Sequence, residues 1–320
     1  ASVISVVIPN WNGRRWLPGC LAALAAQERA PDEIIVVDNG SSDGSVEYLR
    51  HEHPEVTVLA LSRNTGFAAA ANIGVSIPAG EFVALVNADV ELAPDWLARM
   101  AAALEAHPGA ASVACKMLSL RDPTIVDDAG DVLRRDGVCE QRGRFGPDDG
   151  RWDAAGEVFG ACAGAALYRR SAVVSAFGFH EPYFAYLEDV DLALRLRLAG
   201  WTCRYEPAVA LHAAQGSSGA LPGGAAFLAT RNTLVLVARF WPVRWLGLVA
   251  YRQLGWAWHA ARERRLRAHL RAVAAAVPLL PAALRARRAL RHGAVIPICT
   301  AIPSRPWRGP SAEGRPGEHG

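Results

Sequence analysis

Lysine is almost missing from this chain: Lys116 stands alone among 34 basic residues. The lysine that closes a phosphate-binding P-loop is therefore absent. So is the G-x-G-x-x-G turn of a dinucleotide fold, because the first strand-like run ends in Pro9, Asn10, Trp11, Asn12 and Gly13 with one glycine. Both absences remove the main support for nucleotide-triphosphatase and dehydrogenase readings. The six cysteines stand far apart with no C-x-x-C pair, which supports neither a zinc site nor a disulfide framework and points to a reducing compartment. No run of 18 apolar residues occurs. The two longest candidates are broken by Arg239, Arg244 and Arg252 and by Pro278 and Pro281, so no spanning helix is expected. A basic segment followed by an apolar one is missing ahead of Val3, so no signal peptide is visible and a cytoplasmic location is expected. Internal repeats are missing too.

What is present suits a globular enzyme-sized chain: 320 residues, 51% hydrophobic and 20% charged, can bury a sizeable core. The formal charge of +3 conceals an asymmetry. Through residue 225 there are 18 basic and 28 acidic residues; beyond it there are 16 and 3. A uniformly basic nucleic-acid binder does not look like this, and no nucleic-acid partner is expected.

Runs rich in Val and Ile alternate with Ala/Leu stretches at helical spacing over the first 117 residues. The strands are predicted at Val3 to Ile8, Glu33 to Asp38, Val56 to Leu61, Phe82 to Asn87 and Ala111 to Met117. Helices are predicted between them, at Arg14 to Gln27, Gly44 to Glu52, Phe67 to Ile77 and Pro94 to His107. Strands that are apolar throughout suit a parallel sheet covered on both faces, hence a doubly wound α/β region. Ligands of such sheets bind beyond the carboxyl ends of the strands, which directs attention to Pro9 to Gly13, Asp38 to Asp43, Arg63 to Gly66 and Asn87 to Asp89. From Leu118 to Gly156 the pattern dissolves into polar loops or a short hairpin over that edge. Val158 to Tyr168 is small and apolar, Val190 to Leu198 helical, and Thr202 to Glu206 a last strand. Helices follow at Gly224 to Phe240, at Val243 to about Val273, and in a Pro-broken stretch to His292, before a Pro/Gly-rich tail expected to be disordered.

Three polar groups sit where chemistry is expected. Asp38 opens a tight polar turn, where its carboxylate can form the turn, cap a helix or accept from a ligand. Asp89 ends the fourth strand, where one carboxylate can hold a divalent cation on a diphosphate, the other positions going to phosphate and water. Glu188, Asp189 and Asp191 open a helix after the aromatic stretch Pro182 to Tyr186. Helix-terminal charge accounts for one or two of these acids. Asp191, four residues before Arg195, is expected to pair along the helix.

In combination the motifs resemble the inverting family 2 glycosyltransferases of GT-A fold, especially their rhamnosyltransferase-like branch. The matching stretches are V-V-I-P-N-W-N-G (6–13), V-V-D-N-G-S-S-D-G-S (36–45), R-N-T-G-F-A-A-A-A-N-I-G (63–74), V-N-A-D-V-E-L (86–92), G-F-H-E-P-Y-F-A-Y-L-E-D-V-D-L-A-L-R (178–195) and H-A-A-Q-G-S-S-G (212–219). The resemblance, which covers about residues 3–219, implies a mostly parallel sheet with helices on both faces and a catalytic domain over 1–225; composition adds a basic, Trp-rich helical extension over 226–300 and a tail over 301–320. The resemblance also implies roles. Pro9, Asn10, Asn12, Asp38, Asn39, Arg63, Gly66, Asn72, Asn87 and Ala88 would line the nucleotide site, with Asp38 on the base. Asp89 and His212 would hold Mg2+ or Mn2+, and Asp189 would be the catalytic base with Glu188 beside it. Glu181, Tyr183, Phe184 and Tyr186 would meet sugar or acceptor. Three residues depart from the family pattern: Asn87 replaces the first Asp of D-x-D, His180 an Asp, and Phe177 a Gly.

The implied reaction is metal-assisted single displacement from a nucleoside-diphosphate sugar, dTDP-L-rhamnose or a UDP-hexose, to a saccharide or lipid-linked saccharide. The competing readings are a catalytically silent sugar-nucleotide scaffold of the same fold and a sugar nucleotidyltransferase. Five of the ten tryptophans and a run of arginines (Arg262, Arg264, Arg265, Arg267, Arg271) lie past residue 225. That composition suits a helix lying on a membrane surface over 240–272, on the inner face; packing on the catalytic domain or a homodimer are the alternatives.

Overall fold

The computed structural model describes residues 2–77, 80–213 and 224–304. Most of the H-A-A-Q-G-S-S-G motif, from residue 214 on, and the tail from residue 305 lie outside the described residues. The first half alternates as its pattern predicts: β1 (Ile4–Asn10), α1 (Leu17–Ala25), β2 (Glu33–Asp38), α2 (Ser45–Glu52), β3 (Thr57–Ala60), α3 (Phe67–Ser76), β4 (Phe82–Val86), β5 (Val90–Leu92), α4 (Trp96–Glu105) and β6 (Ala110–Ser119). Then come β7 (Val126–Asp128), β8 (Asp131–Leu133), β9 (Cys139–Gln141), β10 (Gly156–Val158), β11 (Ala165–Arg169), α5 (Arg170–Ser175), α6 (Glu188–Leu198) and β12 (Thr202–His212). The C-terminal helices are α7 (Gly224–Phe240), α8 (Leu246–Arg262), α9 (Leu266–Ala276), α10 (Leu280–His292) and α11 (Ile298–Ala301).

One sheet runs in the order β10-β12-β6-β11-β4-β1-β2-β3, with β5 on β12 and β7 on β6. The strands β3, β2, β1 and β4 are parallel, β11 is antiparallel to both β4 and β6, and β12 is parallel to β6. The carboxyl ends of β1, β2, β4, β6 and β12 therefore meet at one edge. Alternation along β1 explains the layering. Ile4, Val6 and Ile8 face α1 and α4, where Leu21, Leu24, Trp96 and Met100 are buried, while Val7 faces α3 and α6.

Four details differ from the sequence expectation, each for a local reason. The last strand continues past Glu206 to His212, because Pro207 falls in a register shift between Tyr205 and Val209, where its missing N–H breaks no regular pairing. His212 is thus the strand's final residue rather than a residue downstream of it. The apolar run 158–168 is divided between β10 and β11, while the polar segment before it holds, besides β7, the short hairpin expected there, β8–β9. The helix predicted from Val243 starts with a short 3-10 turn and breaks at Arg264, whose φ of 59° is left-handed.

The C-terminal helices are packed onto the sheet domain. Val235, Leu236 and Phe240 of α7, with Trp241 just past its end, share a buried cluster with Val190, Leu194 and Leu198 of α6. At its centre Asp191 accepts from Arg195 Nε at 2.6 Å, Arg239 Nε at 2.6 Å and the Tyr183 hydroxyl at 3.0 Å. The pairing expected with Arg195 is present, and Arg239 of α7 joins it.

Candidate active site

The convergent strand ends border a cavity of about 430 Å3. Its walls include Pro9, Asn10, Asn39, Asn87, Ala88, Asp89, Tyr186, Glu188, Asp189 and His212, all singled out by sequence. Asn39 sews two turns together: its Nδ2 donates to the Gly66 carbonyl, and its Oδ1 accepts from the Thr65 N–H and hydroxyl. Asp38 is fully buried beneath them and accepts from Asn10 Nδ2 at 3.1 Å and the Ser41 N–H at 2.9 Å. Asn12 locks the opposite turn through the Ser42 N–H. Gly66 has φ +92°, and a Cβ there would lie 2.6 Å from the Phe184 carbonyl oxygen, so only glycine lets the Arg63–Gly66 turn approach the loop before α6.

Asp38, Asn12, Arg63 and Gly66 are not in the cavity wall but belong to the turns that Asn39 and Asn10 of that wall join, and Asn72, Glu181, Tyr183 and Phe184 lie off the wall as well. Asn72 accepts from the Phe179 N–H, and its Nδ2 donates to the Phe179 carbonyl and to Glu181 Oε1. It clamps the loop that includes Glu181. Tyr183 is core, its hydroxyl spent on Asp191. Phe184 packs on Gly66.

The loop ahead of α6 is conformationally costly. Phe184, Tyr186 and Leu187 have φ of 67°, 69° and 68°, and such left-handed residues cost about 1–3 kcal/mol each. The first turn of α6 follows directly and lines the cavity through Glu188, Asp189 and Val190. There Asp189 Oδ2 accepts from the Ala163 N–H at 3.1 Å and Oδ1 from the Val190 N–H at 2.8 Å, so both oxygens are held in place. Burial raises its carboxyl above the usual range against the pull of those N–H groups. Burial and the charge of Asp189 push Glu188 far higher, and its Oε2 has no hydrogen-bond partner among the described residues. One carboxyl is suited to accept a proton and its neighbour to keep one. Phe177 has φ 63°, the conformation that a glycine there would adopt freely.

Across the cavity His212 Nδ1 is bonded to Asp127 Oδ2 at 2.7 Å, and its Nε2 faces Asp89 Oδ2 at 3.6 Å. Burial opposes the charged imidazole, but the two carboxylates outweigh it and raise its pKa to about 9. Among the described residues no group of three or more His, Cys, Asp or Glu is arranged to hold a metal. The pair nevertheless fits a divalent cation on a diphosphate, which needs one or two protein ligands, with a carboxylate orienting the ligating imidazole. Asp127, Asp131 and Arg144 also line the cavity and were not singled out by sequence. The only signal for the two acids is their place in a short apolar run, I-V-D-D-A-G-D-V, within a segment that reads as loop, and Arg144 has none.

Residues 5–175, more than half of the chain, match the protein family described as Glycosyl transferase family 2. Among curated proteins, the chain is 29% identical to the N-acetylglucosaminyl-diphospho-decaprenol L-rhamnosyltransferase of Mycobacterium tuberculosis, over 76% of this chain and 88% of that one. It is 29% identical to an N-acetylglucosaminyltransferase of Mesorhizobium japonicum, over 64% of this chain and 49% of that one. Among solved structures, a mannosyltransferase from Pyrobaculum calidifontis in complex with GDP-Man and Mn2+ superposes with a TM-score of 0.54 at 20% identity, covering 91% of this chain and 81% of that one. GalNAc-T7 with UDP, GalNAc and Mn2+ gives 0.59 at 15% identity, covering 76% and 48%. The chain has the GT-A fold of these neighbours and belongs to glycosyl transferase family 2.

Proposed function

We propose that this glycosyltransferase moves a sugar, from dTDP-L-rhamnose or a UDP-hexose, with inversion onto a hydroxyl of a saccharide carried on a lipid diphosphate. The observation that carries the mechanism is the fixed Asp189 carboxylate in the same cavity as the Asp89–His212 pair. Asp189 takes the proton of the acceptor hydroxyl as that oxygen attacks the anomeric carbon from the face opposite the leaving group. Glu188, kept protonated, donates to a sugar or acceptor oxygen. Asn10, buried with its Oδ1 unpartnered, and the turns framed by Asp38 and Asn39 receive the nucleoside. Asp89 and His212 Nε2 would hold Mg2+ or Mn2+, which when bound neutralises charge on the departing diphosphate. The acceptor class follows the rhamnosyltransferase relative, whose name specifies a diphospho-decaprenol.

The test is a thermal-shift panel of UDP-, dTDP- and GDP-sugars with and without Mn2+. A cognate donor raises the melting temperature by mass action, and more so with the metal. Donor-dependent release of the nucleoside diphosphate establishes transfer. A shift without release under any acceptor would favour a silent scaffold.

The same reading places the protein on an anionic membrane surface through α8 and α9. Among the described residues no helix is long and apolar enough to cross a membrane. Yet α8 buries only Val249, and exposes Leu248, Tyr251, Leu254 and Trp258 along one side. Arg262, Arg264, Arg265, Arg267 and Arg271 follow at the end of α8 and into α9, which favours anionic lipid over a second copy of the chain.

A further inference from the structure

Among the described residues the cavity is lined by five carboxylates, those of Asp89, Asp127, Asp131, Glu188 and Asp189, and by one guanidinium, that of Arg144. The arginines that brace this half of the chain spend their donors on the protein. Arg99 binds Glu206, Arg169 the Ala110 and Leu104 carbonyls, and Arg197 the Phe159 carbonyl. Arg144 makes no side-chain hydrogen bond among the described residues. Its nearest carboxylate is Asp127, with Nε 3.9 Å from Oδ1, and its side chain is 43% exposed.

The turn beneath it is held firmly. Gly143 and Phe145 have φ of 76° and 62°; the Phe145 N–H donates to the Val126 carbonyl, and the Val126 N–H to the Gly146 carbonyl, both at 2.8 Å. A fixed backbone thus presents a guanidinium that lies over the Phe145 ring, 5.0 Å from its centroid, with its planar fork of N–H groups in no side-chain hydrogen bond among the described residues, the geometry that matches a phosphate. The two oxygens of Asp127 separate this group from the other cation-binding feature: Oδ2 holds His212, and Oδ1 faces Arg144. Arg144 and His212 therefore meet Asp127 through different oxygens, and the carboxyls of Asp128 and Asp131 also feel the Arg144 charge.

We propose that Arg144 binds a phosphate of the acceptor's own diphosphate, across Asp127 from the donor's, and thereby selects diphosphate-linked saccharides. The inference rests on the proposed transfer to a lipid diphosphate. It explains a cation in an otherwise acidic cavity that the donor's metal pair does not require.

The experiment is calorimetry on the full chain, first titrated with UDP or dTDP and Mn2+ and then, at saturation, with geranyl diphosphate, geraniol being the neutral control. Geranyl diphosphate should bind and geraniol should not. Arg144→Gln should weaken geranyl diphosphate about 10-fold or more, the scale of a charge-assisted hydrogen bond, with nucleotide affinity within about twofold. Arg144→Lys should recover part of the loss. Equal affinity for geranyl diphosphate in wild type and Arg144→Gln overturns the proposal. So does a matching loss of nucleotide affinity, which would put Arg144 on the donor. Failure of the wild type to bind any nucleotide would instead overturn the donor reading on which it stands.

Discussion

His212 is useful only if its Nε2 points at Asp89, and Asp127 fixes that orientation from the other ring nitrogen. Removing the charge while keeping the shape should loosen the imidazole. Asp127→Asn is expected to weaken Mn2+ binding about 10–100-fold, read from free Mn2+ by electron paramagnetic resonance. Asp189 has the opposite profile, because it lies in the same cavity but at the start of α6. Asp189→Asn should abolish transfer and leave nucleotide affinity nearly unchanged; a variant still turning over at a large fraction of the wild-type rate would remove it from the base role. Asp89 and Asp189 were legible in the sequence because each follows an element boundary that hydrophobic patterning marks. Asp127 was not, since the histidine that gives it meaning is 85 residues away. Asn72 and Tyr183 misled for a related reason. Polar and aromatic groups beside a site read as contacts until their partners, Phe179 and Asp191, are known.

At the scale of elements, α6 both lines the cavity, through Glu188 and Asp189, and is the point where α7 attaches. Helical spacing foretold Asp191 with Arg195; nothing local foretold Arg239, 48 residues on in α7. Asp191 is wholly buried, so Asp191→Asn leaves two guanidinium groups without their shared counter-charge. It should destabilise the fold by about 3–5 kcal/mol, measured by denaturant unfolding. His180 lies against the same cluster, its Nε2 3.3 Å from Arg239 Nη1. Burial and the Arg239 charge lower its pKa from 6.5 to about 4. The folded protein thus keeps His180 neutral where the unfolded chain takes up a proton, so this group costs stability as pH falls from about 6.5 towards 4 and nothing above that window. His180→Gln should narrow the gap between melting temperatures at pH 7.5 and pH 5. An unchanged gap would mean that His180 is charged in the fold.

The whole molecule is electrically divided. Between residues 226 and 304 one acid, Glu263, accompanies thirteen arginines, whereas acids outnumber bases by ten through residue 225. The division follows the chain order: five of the carboxylates line the cavity, whereas those thirteen arginines lie on α7 to α10 and the turns between them, of which α7 packs on α6. An anionic surface would be drawn to one side of the molecule only, and would fix which way the cavity faces. On that side the apolar face of α8 continues into Leu266 and Leu270 of α9, 36% and 54% exposed. Attraction by arginine should decay with salt over a Debye length of about 10 Å at 0.1 M, while burial of Tyr251, Leu254 and Trp258 should not. Cosedimentation with phosphatidylglycerol vesicles should therefore be strong at low salt, weaker at 0.5 M and negligible with neutral phosphatidylcholine. Replacing Leu254 and Trp258 together by Ser should reduce the bound fraction at every salt concentration without altering nucleotide affinity. If the protein instead ignores anionic vesicles at low salt and sediments as a dimer that the double substitution dissociates, the same apolar face joins two copies of the chain.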